Sequence, residues 1–128
     1  MGPKKKVMLV EDDVALATMY RQRLEMEGYD VTEVHDGEGA LAKAIDVRPG
    51  LIILDVMMPK VSGFDVLDIL KNTPETGGIK VVMLTALGQD KDKERARALG
   101  VDDYLIKSQV SIADVVAKVE ELLGGGIF

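Results

Sequence analysis

The sequence contains no cysteine and no tryptophan, and aromatic residues make up only 4% of its 128 residues. The absence of cysteine excludes disulfides and thiol chemistry, and with His35 as the single histidine a zinc site has no basis. The low aromatic content disfavours a surface on which nucleic-acid bases stack. A cysteine-free composition fits the cytoplasm, where we expect the chain to act.

Long apolar runs are also missing. No stretch approaches the roughly 18 uncharged apolar residues that a membrane span requires, so we expect no contact with a membrane. Basic residues open the chain, but the apolar run after them breaks at Glu11, which disfavours a secretory leader. The net charge of −6 argues against non-specific binding to nucleic acid, so we expect no nucleic-acid partner, and we interpret the lysines at 4–6 as solvated.

What is present is a regular alternation of short apolar runs and amphipathic stretches. The apolar runs predict strands over residues 5–10, 30–34, 50–54, 80–84 and 103–106. The stretches between and after them have apolar residues spaced three or four apart and predict five helices, with the first stopped by Gly28 and the fourth by Gly100. We expect one domain over residues 1–123 and a flexible tail over 124–128, which begins with a run of glycines.

The predicted strands are apolar on successive residues, which is typical of a parallel sheet covered by helices on both faces. Five strand–helix units in this length favour an α/β, flavodoxin-like, doubly wound fold with the strand order 2-1-3-4-5.

Polar side chains stand where the predicted strands end. Carboxylates follow the first strand (Glu11 and Asp12) and the third strand (Asp55). Thr85 follows the fourth strand and Lys107 follows the fifth. Open parallel sheets bind ligands at this carboxyl edge, and clustered carboxylates need a cation, for which magnesium suits oxygen ligands. Asp13 is better explained as the cap of the first helix.

Each of these residues has a plainer interpretation. Acids at a strand end are often only solvated, and a threonine in a β-rich stretch can reflect strand propensity alone. Asp55 and Lys107 could form a structural ion pair, although that would leave Glu11 and Asp12 unexplained.

Four segments together carry a family resemblance: 10–13 (VEDD), 54–59 (LDVMMP) with Gly63 after it, 84–86 (LTA) and 104–107 (YLIK). In this order and spacing the chain resembles the receiver domain of two-component response regulators over essentially its full length. Because no output domain follows, it looks like a stand-alone regulator of the chemotaxis or phosphorelay kind.

The resemblance implies that Asp55 accepts a phosphoryl group from a histidine kinase or a histidine phosphotransfer protein. It implies Mg²⁺, or Mn²⁺, held by Asp12, by Asp55, by the backbone carbonyl of Met57, and by Glu11 through water. Lys107 would hold a phosphoryl oxygen and Thr85 would donate a hydrogen bond to another.

The family's switch would move Thr85 toward the phosphoryl group and let Tyr104 rotate inward. Plain core packing is the rival interpretation of a tyrosine at this position. The surface from the fourth helix through the fifth would then bind an unidentified downstream protein. We expect a monomer, with dimerisation on phosphorylation as the alternative.

Two departures from the family pattern stand out. Ser108 follows Lys107 where the family usually has proline, so the geometry of that loop is open. Met57 and Leu87, two residues past Asp55 and Thr85, are bulky and apolar at positions that flank the path of the hydrolytic water. We therefore expect slow loss of the phosphoryl group.

Other classes of function fit less well. Residues 37–42 match G-x-G-x-x-A, but this turn follows the second strand and Glu38 would face a dinucleotide's pyrophosphate. A haloacid-dehalogenase-like phosphatase would need an acid at Met57, and a non-phosphorylated scaffold would not need the acids, Thr85 and Lys107 together. We therefore expect a signalling protein that catalyses only its own phosphorylation and dephosphorylation, and we expect His35 to lie on the surface.

Overall fold

The computed structural model describes residues 3–124. The strands are β1 (Lys6–Val10), β2 (Asp30–Val34), β3 (Leu51–Leu54), β4 (Lys80–Thr85) and β5 (Asp103–Ile106), and they form one parallel sheet in the order β2-β1-β3-β4-β5. The helices are α1 (Val14–Met26), α2 (Gly37–Val47), α3 (Gly63–Asn72), α4 (Asp90–Ala98) and α5 (Ile112–Leu123). A short 3-10 turn, Lys107–Gln109, follows β5. The predicted fold class and strand order are confirmed.

Alternating strand residues supply two apolar cores, one on each face of the sheet. On one face, Val7 and Leu9 of β1 pack with α1 and α5; on the other, Met8 and Val10 pack with α2, α3 and α4. The four apolar residues of β3 are all fully buried. Burial on both faces explains why these strands read as continuous apolar runs.

Capping side chains and glycines define several helix ends, and those at Asp13, Gly28 and Gly100 agree with the sequence predictions. The Asp13 carboxylate accepts a hydrogen bond from the Leu16 N–H at 3.1 Å and begins α1, and Asp36 does the same for α2. Gly28 and Gly100 have the positive φ angles, 94° and 93°, that follow α1 and α4.

Gly124, the first residue of the predicted tail, caps the C-terminal end of α5. Gly124 adopts the left-handed conformation, with φ of 81°, and its N–H donates to the Glu120 carbonyl at 2.7 Å. Residues 125–128 of that tail lie outside the described residues, as do residues 1–2.

Strand register brings the polar residues to one edge. Val10 of β1 pairs with Leu54 of β3, so Glu11 and Asp55 emerge side by side, and the Asp55 N–H donates to the Val10 carbonyl at 3.1 Å. Thr85 pairs with Ile106, which places Lys107 at the same edge.

Candidate functional site

Three carboxylates converge at the carboxyl edge of the sheet. One oxygen from each of Glu11, Asp12 and Asp55 lies within 4.8 Å of the others. Glu11 and Asp55 are only 3% and 4% exposed, whereas Asp12 is exposed to solvent. The cluster is therefore buried on one side and open on the other, which gives a ligand access.

Lys107 joins the two buried carboxylates. Its ammonium donates to Glu11 Oε1 at 2.5 Å and to Asp55 Oδ2 at 2.9 Å. The ion pair between Asp55 and Lys107 is thus present, but it is part of a larger group. Three carboxylates against one ammonium leave an excess of two negative charges, since Asp12 forms no ion pair within residues 3–124.

The pKa values of this group follow from burial and hydrogen bonding. Burial raises the pKa of Glu11 above its usual value, and the charge of Asp55 adds to this, against the hydrogen bonds from Lys107 and from the Asp13 N–H. Burial alone would lower the pKa of Lys107, but its hydrogen bonds to Glu11 and Asp55 outweigh that effect and raise it. Lys107 is therefore a permanent cation at neutral pH.

Backbone groups hold the Asp55 side chain from the other side. The Met57 N–H donates to Asp55 Oδ1 at 3.1 Å, so both carboxylate oxygens have a fixed donor. Gly63 packs against this segment so closely that a Cβ there would lie 2.2 Å from the Asp55 carbonyl oxygen. Only glycine lets α3 begin beside Asp55.

The donor set fits a hard divalent cation. Glu11, Asp12 and Asp55 offer oxygen ligands only, their excess negative charge matches a divalent ion, and the carboxylate oxygens are close enough to share one. Met57 lies two residues after Asp55, and its side chain is 54% exposed.

Thr85 and Tyr104 meet through the backbone of Leu87. Thr85 is fully buried, and its Oγ1 accepts from the Leu87 N–H at 3.4 Å, while the Tyr104 hydroxyl donates to the Leu87 carbonyl at 2.8 Å. Within the described residues, no hydrogen bond joins Thr85 to Asp55. Burial and the charges of Asp92 and Asp55 raise the pKa of Tyr104 to about 12.

The bridging role of Leu87 was missed by sequence reasoning, which gave this residue only a part in phosphoryl-group loss. No pattern in the sequence signals a backbone carbonyl as a tyrosine's partner. The structure thus brings Glu11, Asp12, Asp55 and Lys107 into one group, and it joins Thr85, Leu87 and Tyr104 in a second one beside it.

Two further expectations concern the loops around the site. The 3-10 turn after β5 contains Ser108, no cis peptide occurs in residues 3–124, and Lys107 still reaches both carboxylates. His35 is exposed, as predicted, and its Nε2 lies 2.6 Å from Glu33 Oε2; it also lines a cavity of about 370 Å³ that Asp12 borders.

No helix in the described part of the chain has the length and apolar character needed to cross a bilayer.

Comparison with known proteins agrees with this geometry. The sequence profile of the response regulator receiver domain matches residues 7–120. The chain is 42% identical over 118 residues to the DNA-binding dual master transcriptional regulator RpaA of Synechocystis sp., covering 92% of this chain and 48% of that protein. It is also 42% identical over 118 residues to the transcriptional regulatory protein CpxR of Escherichia coli K12, covering 92% of this chain and 49% of CpxR.

Solved structures share the fold. The chemotaxis protein CheY4 of Vibrio cholerae superposes with a TM-score of 0.86 at 28% identity, covering 92% of this chain and 98% of CheY4. A CheY-like receiver domain protein of Methanospirillum hungatei gives 0.87 at 28% identity, covering 94% of each chain.

The chain spans about half the length of the curated relatives named above. The name of RpaA describes DNA binding for that protein, which does not fit the expectation of no nucleic-acid partner. That expectation, and the expectation of a stand-alone regulator, therefore stay predictions. With a profile match over nearly all of its length and a carboxylate site at the expected sheet edge, the chain belongs to the response regulator receiver domain family.

Proposed function

We propose that this receiver domain accepts a phosphoryl group on Asp55 from a histidine kinase or a histidine phosphotransfer protein. The observation that carries the proposal is the convergence of the Glu11, Asp12 and Asp55 oxygens within 4.8 Å, with the Lys107 ammonium 2.9 Å from Asp55. Burying two carboxylates side by side costs free energy that a structural ion pair alone does not offset. A site for a cation and an anionic phosphoryl group accounts for that cost.

Mg²⁺, or Mn²⁺, would be held by Asp12, Asp55, the Met57 carbonyl and, through water, Glu11. When bound, the metal reduces the repulsion between the Asp55 carboxylate and the incoming phosphoryl group. In the transfer, an Asp55 oxygen forms a bond to phosphorus while the bond from phosphorus to the phosphohistidine nitrogen breaks. The imidazole leaves with that electron pair and takes up a proton.

The residues around Asp55 position and stabilise the transferred group. The Met57 N–H holds one carboxylate oxygen in place, which orients the other for attack. Lys107 is a permanent cation next to the acceptor and would pair with a phosphoryl oxygen. The Thr85 hydroxyl would donate to a further oxygen once it turns from Leu87 toward Asp55.

The switch is proposed to pass from Thr85 to Tyr104 through Leu87. Because both side chains hydrogen-bond the Leu87 backbone, a Thr85 that turns toward the phosphoryl group withdraws a contact from the segment that anchors Tyr104. Tyr104 then rotates inward, and the surface of α4, β5 and α5 changes its affinity for a downstream protein. The size of this shift is set by the difference in contacts between the two states.

Turnover of external phosphate esters is the competing function, since enzymes with an aspartyl-phosphate intermediate share this chemistry. Such an enzyme needs a proton donor two residues after the nucleophile, and here Met57 occupies that position with a thioether that carries no proton. We therefore propose a cytoplasmic signalling protein that acts only on its own phosphorylation, as a monomer unless phosphorylation drives dimerisation.

The test uses acetyl phosphate or phosphoramidate with magnesium, followed by intact-mass spectrometry. The unchanged protein should gain the mass of one phosphoryl group, and chelation of the metal should prevent this. Asp55→Asn should abolish the gain, whereas Asp46→Asn, at an exposed position of α2, should leave it unchanged. A phosphoryl group that persists on the Asp55→Asn protein would refute the assignment.

A further inference from the structure

The chain has no cysteine and no tryptophan, so the thioether sulfur of methionine is its most easily oxidised side-chain group. Within residues 3–124, the methionines differ in their access to solvent. Met8 and Met83 are fully buried in the sheet, and Met58 packs against the core on one face of it. Those in that range with a large exposed fraction are Met19, Met26 and Met57. A small oxidant in solution can reach these side chains without any opening of the fold.

Met57 is the exposed methionine whose backbone contacts the proposed phosphoacceptor. Its N–H donates to Asp55 Oδ1 at 3.1 Å. Ordinary bond lengths keep the sulfur within about 5 Å of this nitrogen, whichever rotamer the side chain adopts. Met19 and Met26 belong to α1, and Met26 is the last residue of that helix, roughly 18 Å from its start. Oxidation at Met57 would therefore change the surroundings of the acceptor directly.

The sulfoxide differs from the thioether in what it offers to water. A thioether is a weak hydrogen-bond acceptor, whereas a sulfoxide is polar and carries an exposed oxygen that accepts strongly. The slow loss of the phosphoryl group that we expect depends on side chains that cannot orient an attacking water. A sulfoxide oxygen that accepts a hydrogen bond from a water O–H would hold that water beside the phosphorus and raise the nucleophilicity of its oxygen.

We propose that Met57 is a reversible oxidation site through which a peroxide shortens the lifetime of the phosphoryl group on Asp55. The inference rests on the proposed function, because it acts on the aspartyl phosphate. In the oxidation, a lone pair of the Met57 sulfur forms a bond to one oxygen of hydrogen peroxide, and the O–O bond breaks. The departing hydroxide takes the proton from the transferred oxygen and leaves as water, so the sulfur is oxidised and the peroxide is reduced.

Structural damage is the plainer consequence of methionine oxidation, and Met57 is poorly placed to cause it. Its side chain is 54% exposed, so the added oxygen can point into solvent. Met58 is the contrasting neighbour, because it packs against the core and an oxygen on its sulfur would be forced toward apolar surroundings. We therefore expect the form oxidised at Met57 to stay folded.

The experiment starts from a protein with Met19→Leu and Met26→Leu, which leaves Met57 as the exposed methionine within residues 3–124. Brief treatment with hydrogen peroxide, ended by catalase, gives molecules with and without one added oxygen, and peptide mass mapping locates the oxygen. Acetyl phosphate with magnesium then phosphorylates both forms. Intact mass follows the loss of the phosphoryl group from the two forms in the same sample.

The form oxidised at Met57 should lose the phosphoryl group about threefold faster or more, because its sulfoxide can position the water. Methionine sulfoxide reductases, one for each epimer, should restore the slower rate when supplied with a dithiol. The thermal unfolding transition of the oxidised form should remain cooperative.

Met57→Leu, added to the same double variant, supplies the control. Any oxygen then lies on other methionines, and the forms with and without it should lose the phosphoryl group at equal rates. The proposal is overturned by equal rates in the first comparison, by slower loss from the oxidised form, by a difference that survives Met57→Leu, or by loss of cooperative unfolding.

The same masses separate this inference from the function on which it rests. Protein that gains no phosphoryl group before peroxide treatment would refute phosphorylation of Asp55, and the inference with it. Normal phosphorylation whose decay ignores oxidation at Met57 would refute the oxidation site alone.

Discussion

Lys107 and Asp55, which are 52 residues apart in the sequence, meet through an ion pair of 2.9 Å at the carboxyl edge of the sheet. The same ammonium contacts Glu11, so a single cation compensates two buried carboxylates. Both the stability of the protein without metal and its response to metal should therefore depend on this one side chain.

Lys107→Gln should lower the free energy of unfolding by about 2 kcal/mol in the absence of divalent metal, because Glu11 and Asp55 then repel each other without a counter-charge. Millimolar magnesium should recover most of the loss, since the ion supplies the missing positive charge. Urea unfolding with and without magnesium measures both effects.

The matched variant is Lys118→Gln, which removes a lysine that pairs with Asp103 and Glu121 near the surface. Its effect should stay below about 1 kcal/mol and should not depend on magnesium. Equal losses in the two variants, or a Lys107→Gln protein that ignores magnesium, would contradict the role given to Lys107.

Met57 and Leu87 should slow the loss of the phosphoryl group. They stand two residues past Asp55 and Thr85, and neither side chain can orient an attacking water by hydrogen bonding. Met57→Asn with Leu87→Glu should speed dephosphorylation by roughly tenfold or more, because amide and carboxylate groups can position that water. Phosphoprotein half-lives in excess magnesium measure this.

Met26→Asn serves as the control for that comparison, since Met26 is 75% exposed at the end of α1. Its half-life should equal that of the unchanged protein. Faster decay in the unchanged protein than in the double variant would show that the two apolar side chains do not protect the phosphoryl group.

Gly63→Ala should damage the site through the backbone. The new Cβ would lie 2.2 Å from the Asp55 carbonyl oxygen and 2.7 Å from the Val56 Cα, so the start of α3 must move. We expect a loss of about 3 kcal/mol in the free energy of unfolding and a slower reaction with acetyl phosphate. Gly78→Ala, where no atom beyond the adjacent residues lies within 4 Å of the added Cβ, should change stability by less than about 0.5 kcal/mol.

Glu33 should contribute stability that depends on pH. Burial tends to raise its pKa, but hydrogen bonds from His35 and Arg21 outweigh that effect and lower it. A carboxylate whose pKa is lower in the folded state stabilises the protein above its unfolded pKa, and this contribution is lost as the pH falls through the folded value.

Glu33→Gln should therefore cost about 0.2–1 kcal/mol at neutral pH, and its difference from the unchanged protein should vanish in acid below the folded pKa. Denaturant unfolding across that range, with Glu25→Gln as a variant that removes the other carboxylate on Arg21, provides the measurement. A difference in the free energy of unfolding that grows as the pH falls would contradict a stabilising role for the ionised Glu33.

Much of the fold was predictable because the central strands are covered on both faces and so read as unbroken apolar runs. The strand ends then predicted the meeting of Glu11, Asp12, Asp55 and Lys107, since parallel strands bring their carboxyl ends to one edge. Strand limits shifted by one residue, as with β4, which extends to Thr85 and buries it.

Side-chain partners that depend on rotamers and loops were not predictable. Nothing in the local sequence indicates that the Tyr104 hydroxyl finds the Leu87 carbonyl. Likewise, the guanidinium of Arg95 lies 4.3 Å from the centroid of the Phe64 ring, a contact between the consecutive helices α3 and α4, which β4 separates in the sequence. Such pairs form only after the sheet has fixed the helices in space.

The composition of α4 has a consequence for signalling. This helix is made mostly of charged residues, and Ala96 is its only fully buried residue. It contacts α3 through the Arg95 guanidinium, which lies over the Phe64 ring. Displacing α4 would expose little apolar surface. The free-energy cost should therefore be small compared with that of opening either of the two cores. The proposed phosphorylation of Asp55 would therefore meet little resistance from the two cores if it displaced α4, a helix that carries both positive and negative groups.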